Sequence, residues 1–234
     1  MSDGADPPGL VNLRDLGGLP VLGGGTTRHG VLYRSDAPYD GDSVPEHVAV
    51  WPPARVVDLR MTREAERAPY DWGAATVVCP HPLHAAAAPQ DVRQADLAAL
   101  YHFILDEVPD RVASAVDLVV AEAVEGPTLV HCAAGKDRTG IVVAAVLLAS
   151  DVEPEAVVAD YVATTENLAG VVRRLAERGH HPANPAWLEA PEPAIREVVE
   201  RLHGSVAGGA RSWLADHGAS AEHLTAWADR FVAR

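Results

Sequence analysis

The stretch Pro127-Thr128-Leu129-Val130-His131-Cys132-Ala133-Ala134-Gly135-Lys136-Asp137-Arg138-Thr139-Gly140, followed by the apolar run Ile141 to Ala149, decides how the rest of the chain is read. Thr128 to His131 is short, apolar and β-prone, and the residues after Thr139 are helix-compatible, so the segment reads as strand, tight loop and helix. In that arrangement the loop amides line a concavity at a helix N-terminus, where unpaired donors and partial positive charge favour an anion. A phosphate and a thiolate are both stabilised there. Arg138 offers a planar fork that stays charged at any working pH. Cys132 is placed to sit below a bound phosphorus with its proton readily lost. Ala133, Ala134, Gly135 and Lys136 complete the expected phosphate cradle, and His131 and Thr139 flank it in supporting positions. The Thr139 hydroxyl can donate to the sulfur.

Lys136 is the single lysine in a chain whose Lys and Arg total 19. A sequence that uses arginine everywhere else keeps its one lysine in this loop, so the position is expected to need a compact ammonium. A nucleotide-binding loop is excluded, because no glycine precedes Gly135 at the required spacing and Asp137 follows the lysine where Ser or Thr should stand.

The 234 residues are enough for one sizeable domain, expected over 10–234, with 1–9 disordered. The longest apolar run is far shorter than the roughly 20 residues that span a bilayer. The N-terminus does not resemble a signal peptide, so a cytoplasmic location is expected. A net charge of -14 argues against nucleic acid and against stable association with anionic membranes. Two cysteines, Cys79 and Cys132, make no disulfide framework. His81 and His84 have no third ligand cluster nearby, and neither a metal nor a cofactor is expected.

Before the loop, Leu19 to Leu22 and Gly30 to Arg34 read as an antiparallel hairpin at a sheet edge, joined through the glycine turn Gly23 to Gly25. Ser43 to Glu46 has capping-box spacing, which predicts a short helix stopped at Trp51-Pro52-Pro53. Arg55 to Leu59 reads as a strand buried on both faces, with Asp58 and Arg60 at its carboxyl end, either near a ligand or as a structural ion pair. Thr76 to Cys79 is a further strand. Leu97, Leu100, Tyr101, Ile104 and Leu105 form a core stripe, as do Val112, Val116, Val119 and Val120. A helix after Pro154 is expected to give way to another capped by Thr165, and further helices follow to the C-terminus. The segments 80–96 and 179–193 are candidate lids. The fold class expected is α/β, a mostly parallel central sheet flanked by helices, with an N-terminal hairpin and a C-terminal helical portion.

His131-Cys132 through Thr139-Gly140 resembles the active-site loop of cysteine-dependent protein tyrosine phosphatases, and in particular an atypical bacterial branch whose loop also carries a lysine and an aspartate before the arginine. Asn12 to Gly18, Leu32 to Ser35, Val57 to Arg60 with Arg63-Glu64, and Val158 to Tyr161 are similar to further motifs of that branch. Asp36 lies about where the branch carries a glutamate near its site. The resemblance implies hydrolysis of a phosphomonoester, on a phosphotyrosine protein or a similar substrate, through a phosphocysteine. Most relatives outside the branch take the general acid from a Trp-Pro-Asp loop, but Trp51-Pro52-Pro53 lacks the aspartate, which leaves Asp137 as the candidate. Two alternatives remain open: a phosphoinositide phosphatase, since Lys136 adds charge for a second phosphate, and a non-catalytic phosphate-recognition module, which would not need Cys132.

Overall fold

The computed structural model describes residues 9–83, 97–121, 125–179, 189–204 and 208–234. His84, His180, His181 and most of both candidate lids lie outside them, as does 1–8 of the N-terminal segment.

Seven strands are found among the described residues: β1 (Arg14–Asp15), β2 (Thr26–Thr27), β3 (Leu32–Ser35), β4 (Arg55–Asp58), β5 (Val77–Pro80), β6 (Thr128–His131) and β7 (Val232–Ala233). The helices described are α1 (Thr62–Arg67), α2 (Leu97–Glu107), α3 (Pro109–Val120), α4 (Asp137–Ala149), α5 (Pro154–Glu177), α6 (Glu192–His203), α7 (Gly209–Asp216) and α8 (Ala221–Phe231). The main sheet has the order β1-β3-β6-β4-β5, parallel except for the edge strand β1. This is the mostly parallel sheet flanked by helices that the sequence predicts.

β6 lies between β3 and β4, and its residues are wholly buried. A strand covered on both faces needs a continuous apolar run, which Leu129 and Val130 supply. The register aligns His131 with Ser35 on one side and with Asp58 on the other. The carboxyl ends of three strands therefore meet where the loop begins, the place at which open α/β sheets hold ligands. From the loop the chain enters α4, in which every residue from Thr139 to Ala149 is buried. A helix apolar on all sides belongs inside a core, and α4 packs against α3, α5, α6 and α7.

Three local expectations are corrected. The antiparallel partner of β3 is Arg14–Asp15, whereas Leu19 to Leu22 forms only isolated bridges, Pro20 with Thr26 and Val21 with Val152. Thr26–Thr27 pairs instead with β7 at the C-terminus, so the glycine turn closes no long hairpin. Residues 43–51 contain no helix, and Trp51 packs its ring 5.6 Å from Trp72. Finally, α5 runs unbroken for 24 residues through Thr165; its Asp160, Thr164, Val171 and Arg174 are buried, so tertiary burial carries the helix past a possible cap.

Candidate active site

The loop is held by its carbonyls. Ala133 O accepts the Ala37 amide at 3.1 Å, Ala134 O accepts Asn12 Nδ2 at 3.3 Å, and Gly135 O accepts Asn12 Nδ2 at 3.2 Å and Arg34 Nη2 at 2.8 Å. The amides of Ala133, Ala134, Gly135 and Lys136 have no hydrogen-bond partner among the described residues. A run of unpaired amides at the N-terminus of a buried helix can receive an anion. Gly135 has φ +67°, and a Cβ there would lie 2.2 Å from Ser35 O. Only glycine lets the loop turn this tightly against the end of β3.

Cys132 is 2% exposed and free, directly after β6. His131 beneath it is fully buried, and burial pushes its imidazole below the ordinary histidine value. Its Nδ1 lies 3.2 Å from Cys132 O. The Thr139 hydroxyl is buried and has no hydrogen-bond partner among the described residues.

Arg138 stands in the first turn of α4. Its Nη1 and Nη2 donate to the two oxygens of Glu64 at 2.7 and 3.0 Å, and Nη1 also donates to Leu59 O at 3.1 Å. Burial disfavours its charge, but Cys132, Glu64 and Asp137 more than offset this and raise it above the ordinary arginine value. Glu64 is itself fixed, since its Oε2 accepts the Met61 amide at the start of α1, 2.7 Å away.

Asp137 Oδ1 accepts the Tyr101 hydroxyl at 2.6 Å and lies 2.9 Å from Lys136 Nζ. Lys136 is drawn inward. Its side chain is 1% exposed, and Nζ also donates to Glu189 O at 2.6 Å. Two of the three ammonium donors are thus taken up by Asp137 and Glu189.

Asp36 and Asp58 stand behind the loop and away from its amides. Asp36 Oδ1 accepts the amides of Val11 and Asn12, and Oδ2 accepts Arg174 Nε at 2.8 Å. It thereby sets Asn12, whose amide group carries the loop. Asp58 takes the Arg60 guanidinium at 2.8 Å and lies 3.8 Å from His131 Nε2. Behind Asn12 and Arg34 stands Asp160 of α5, which pairs with Arg14 at 2.7 Å and Arg34 at 2.5 Å. Arg14 in turn donates to Asn12 Oδ1 at 2.7 Å.

Cys79 is partly buried and free. His81 Nε2 lies 2.9 Å from Arg111 O, so backbone occupies it, and the described residues hold no metal-ligating group of three or more acidic, histidine or cysteine side chains.

Among the residues not singled out from the sequence, Glu64 and Tyr101 matter most. A polar tip on an otherwise apolar stripe signals a tyrosine whose hydroxyl needs a partner. Glu64 was visible only as part of the Arg63-Glu64 resemblance, with no role attached.

A cysteine directly after a buried strand, a turn of unpartnered amides and an arginine in the first turn of the following helix form a site suited to a phosphate ester, and comparison with known proteins gives its class. The tyrosine phosphatase family matches residues 6–233, and the chain belongs to that family. Among its relatives is a protein of Cupriavidus necator named as a tyrosine-protein phosphatase, 31% identical over 191 residues that cover 74% of this chain and 69% of that one. A second similarity is local: the triple specificity protein phosphatase PtpB of Mycobacterium tuberculosis is 45% identical over 51 residues, 22% of this chain and 18% of that protein. The chain is thus a phosphatase, and no helix among the described residues is long and apolar enough to cross a membrane.

Proposed function

We propose that this phosphatase hydrolyses phosphotyrosine in proteins by double displacement at Cys132. The observation that carries the reading is the row of unpartnered amides from Ala133 to Lys136 between Cys132 and Arg138. The amides and the Arg138 guanidinium hold the non-bridging oxygens, in a site where fixed donors are worth more than in water. The Cys132 thiolate attacks phosphorus, the S–P bond forms, and the ester P–O bond breaks as Asp137 gives its proton to the leaving oxygen. Water then attacks the phosphocysteine, Asp137 takes its proton, the S–P bond breaks and phosphate leaves, with Thr139 donating to the departing sulfur.

Sinking a cysteine at the base of a buried loop favours a long leaving group such as a tyrosine ring over a short serine ester. The engagement of Lys136 by Asp137 and Glu189 weighs against a dedicated site for a second inositol phosphate. The acidic chain charge of -14 points the same way for lipid at an anionic surface. Location in the cytoplasm and the absence of a nucleic-acid partner belong to the same proposal.

The test is hydrolysis of phosphotyrosine peptide, phosphoserine peptide and phosphoinositide by wild type and Cys132→Ser. Turnover of the tyrosine ester should exceed the others, and Cys132→Ser should abolish it while still binding phosphate. Retained turnover in Cys132→Ser would remove the covalent route. Faster lipid turnover would transfer the substrate to phosphoinositide.

A further inference from the structure

The two oxygens of Asp137 have different surroundings. Oδ1 faces the Tyr101 hydroxyl at 2.6 Å and the Lys136 ammonium at 2.9 Å, whereas Oδ2 has no partner among the described residues. Tyr101 and Lys136 are each 1% exposed, while the Asp137 side chain is 24% exposed, so the engaged oxygen is the inner one. The Tyr101 oxygen lies 2.6 Å from that of Tyr161, with the rings edge to face.

A phenol has one proton to donate. Tyr101 gives its proton to the carboxylate, so Tyr161 is the donor in the second contact. The chain has one direction: Tyr161 to Tyr101 to Asp137 Oδ1. Burial, together with the negative charge of Asp137, raises both phenols above their ordinary value, so they keep their protons through the working pH range.

A carboxyl that serves as an acid must carry its proton on an oxygen free to reach the leaving atom. Oδ1 already receives an ammonium and a phenol, and a proton there would confront two donors. We propose that Tyr101, steered by Tyr161, is a positioning residue: it fixes the Asp137 carboxyl through Oδ1 and so reserves Oδ2 for the proton given to the leaving group. The charged groups around Asp137 are Lys136, Arg138 and Cys132; Arg34 of β3, paired with Asp160 of α5, acts on Tyr161 from the other side, and α2 adds only the neutral Tyr101 phenol. Nothing in core packing requires the hydroxyls to meet, since phenylalanine would fill both rings' space. The inference rests on the assignment of Asp137 as the acid.

The experiment measures kcat and KM for aryl phosphates from phenyl to dinitrophenyl with wild type, Tyr101→Phe, Tyr161→Phe, Asp137→Asn and the double variant Tyr101→Phe with Asp137→Asn. Loss of an oriented acid slows poor leaving groups and spares acidic ones. Tyr101→Phe should lower kcat/KM, which reports the first, acid-assisted displacement alone, about tenfold to a hundredfold for phenyl phosphate, with less than about a threefold effect on the dinitrophenyl ester. Tyr161→Phe, which leaves the contact with Asp137 in place, should show the same pattern more weakly. In the Asp137→Asn background Tyr101→Phe should cost nothing further, because residues acting through one group are non-additive.

An equal loss across the series, an unchanged phenyl phosphate rate, or the same penalty in the Asp137→Asn background would overturn the positioning role. If Tyr101→Phe does not fold, a flat series for Tyr161→Phe overturns it. A flat series for Asp137→Asn alone overturns the acid assignment itself, so the two failures are separable.

Discussion

Arg138 lies flat against Glu64, with one Nη at 2.7 Å and the other at 3.0 Å from opposite carboxylate oxygens. The guanidinium plane is thus set from α1, an element the loop does not touch in sequence. Paired charges of this kind orient more than they stabilise when partly open to water, and the Glu64 side chain is 25% exposed. Glu64→Gln keeps the shape but removes the charge and one acceptor. Orthophosphate should then inhibit about tenfold more weakly, a change of about 1.4 kcal/mol, with the urea midpoint nearly unchanged. A large stability loss with unaltered phosphate affinity would show that Glu64 supports the fold and leaves Arg138 alone.

Asn12 is fully buried and holds two loop carbonyls with one amide nitrogen. Asn12→Ala strands the Ala134 carbonyl, leaves Gly135 O to Arg34 alone and takes one acceptor from Arg14. Leaving buried polar groups unmet costs about 1–3 kcal/mol. Denaturant unfolding should report that loss, and phosphate binding should weaken with it, since the amides keep their direction only while the carbonyls are held.

The loop was legible because its chemistry is local: cysteine, glycine, lysine, aspartate and arginine fall within seven residues, and apolar runs on either side declare strand and helix. The supports are not local. Asn12, Arg34, Glu64, Tyr101 and Asp160 reach the loop from sequence distances of 36 to 126 residues or through one another. Tyr101 shows the difficulty well, because its ring belongs to the α2 stripe and only its hydroxyl belongs to the site. The short edge strands erred for a related reason. β2 finds its partner in β7 at the other end of the chain, and local alternation carries no information about that pairing. The Ser43 to Glu46 spacing matches a capping box, but the residues that follow it form bends and no helix.

Gly135 carries a sharper prediction than the other glycines, since its positive φ coincides with a close approach to Ser35 O. Gly135→Ala must either push the end of β3 aside or flip the loop out of its turn. Activity should fall by at least about a hundredfold, the scale that a misplacement of about 1 Å produces. An assay with any aryl phosphate checks this, and a variant retaining more than a tenth of wild-type turnover would show that the loop tolerates another path.

Asp160 joins α5 to the loop through two arginines, and its ionisation sets an acid limit on the fold. Burial disfavours the carboxylate, but Arg34 and Arg14 overcome it and hold Asp160 below the usual carboxylate value. A folded value lower than the unfolded one means stability that is fully present above the unfolded value, near pH 4, and lost as pH falls through the folded value. Asp160→Asn removes that dependence and leaves Arg34, 1% exposed, without its counter-ion. Breaking a buried pair from one side costs about 3–5 kcal/mol. Unfolding free energy measured from pH 7 to pH 3 should therefore start lower in the variant and fall less steeply below pH 4. Phosphate affinity at pH 7 should drop as well, because Arg34 holds the Gly135 carbonyl only while Asp160 holds Arg34. Parallel curves for the two proteins below pH 4 would assign the acid sensitivity to other carboxylates.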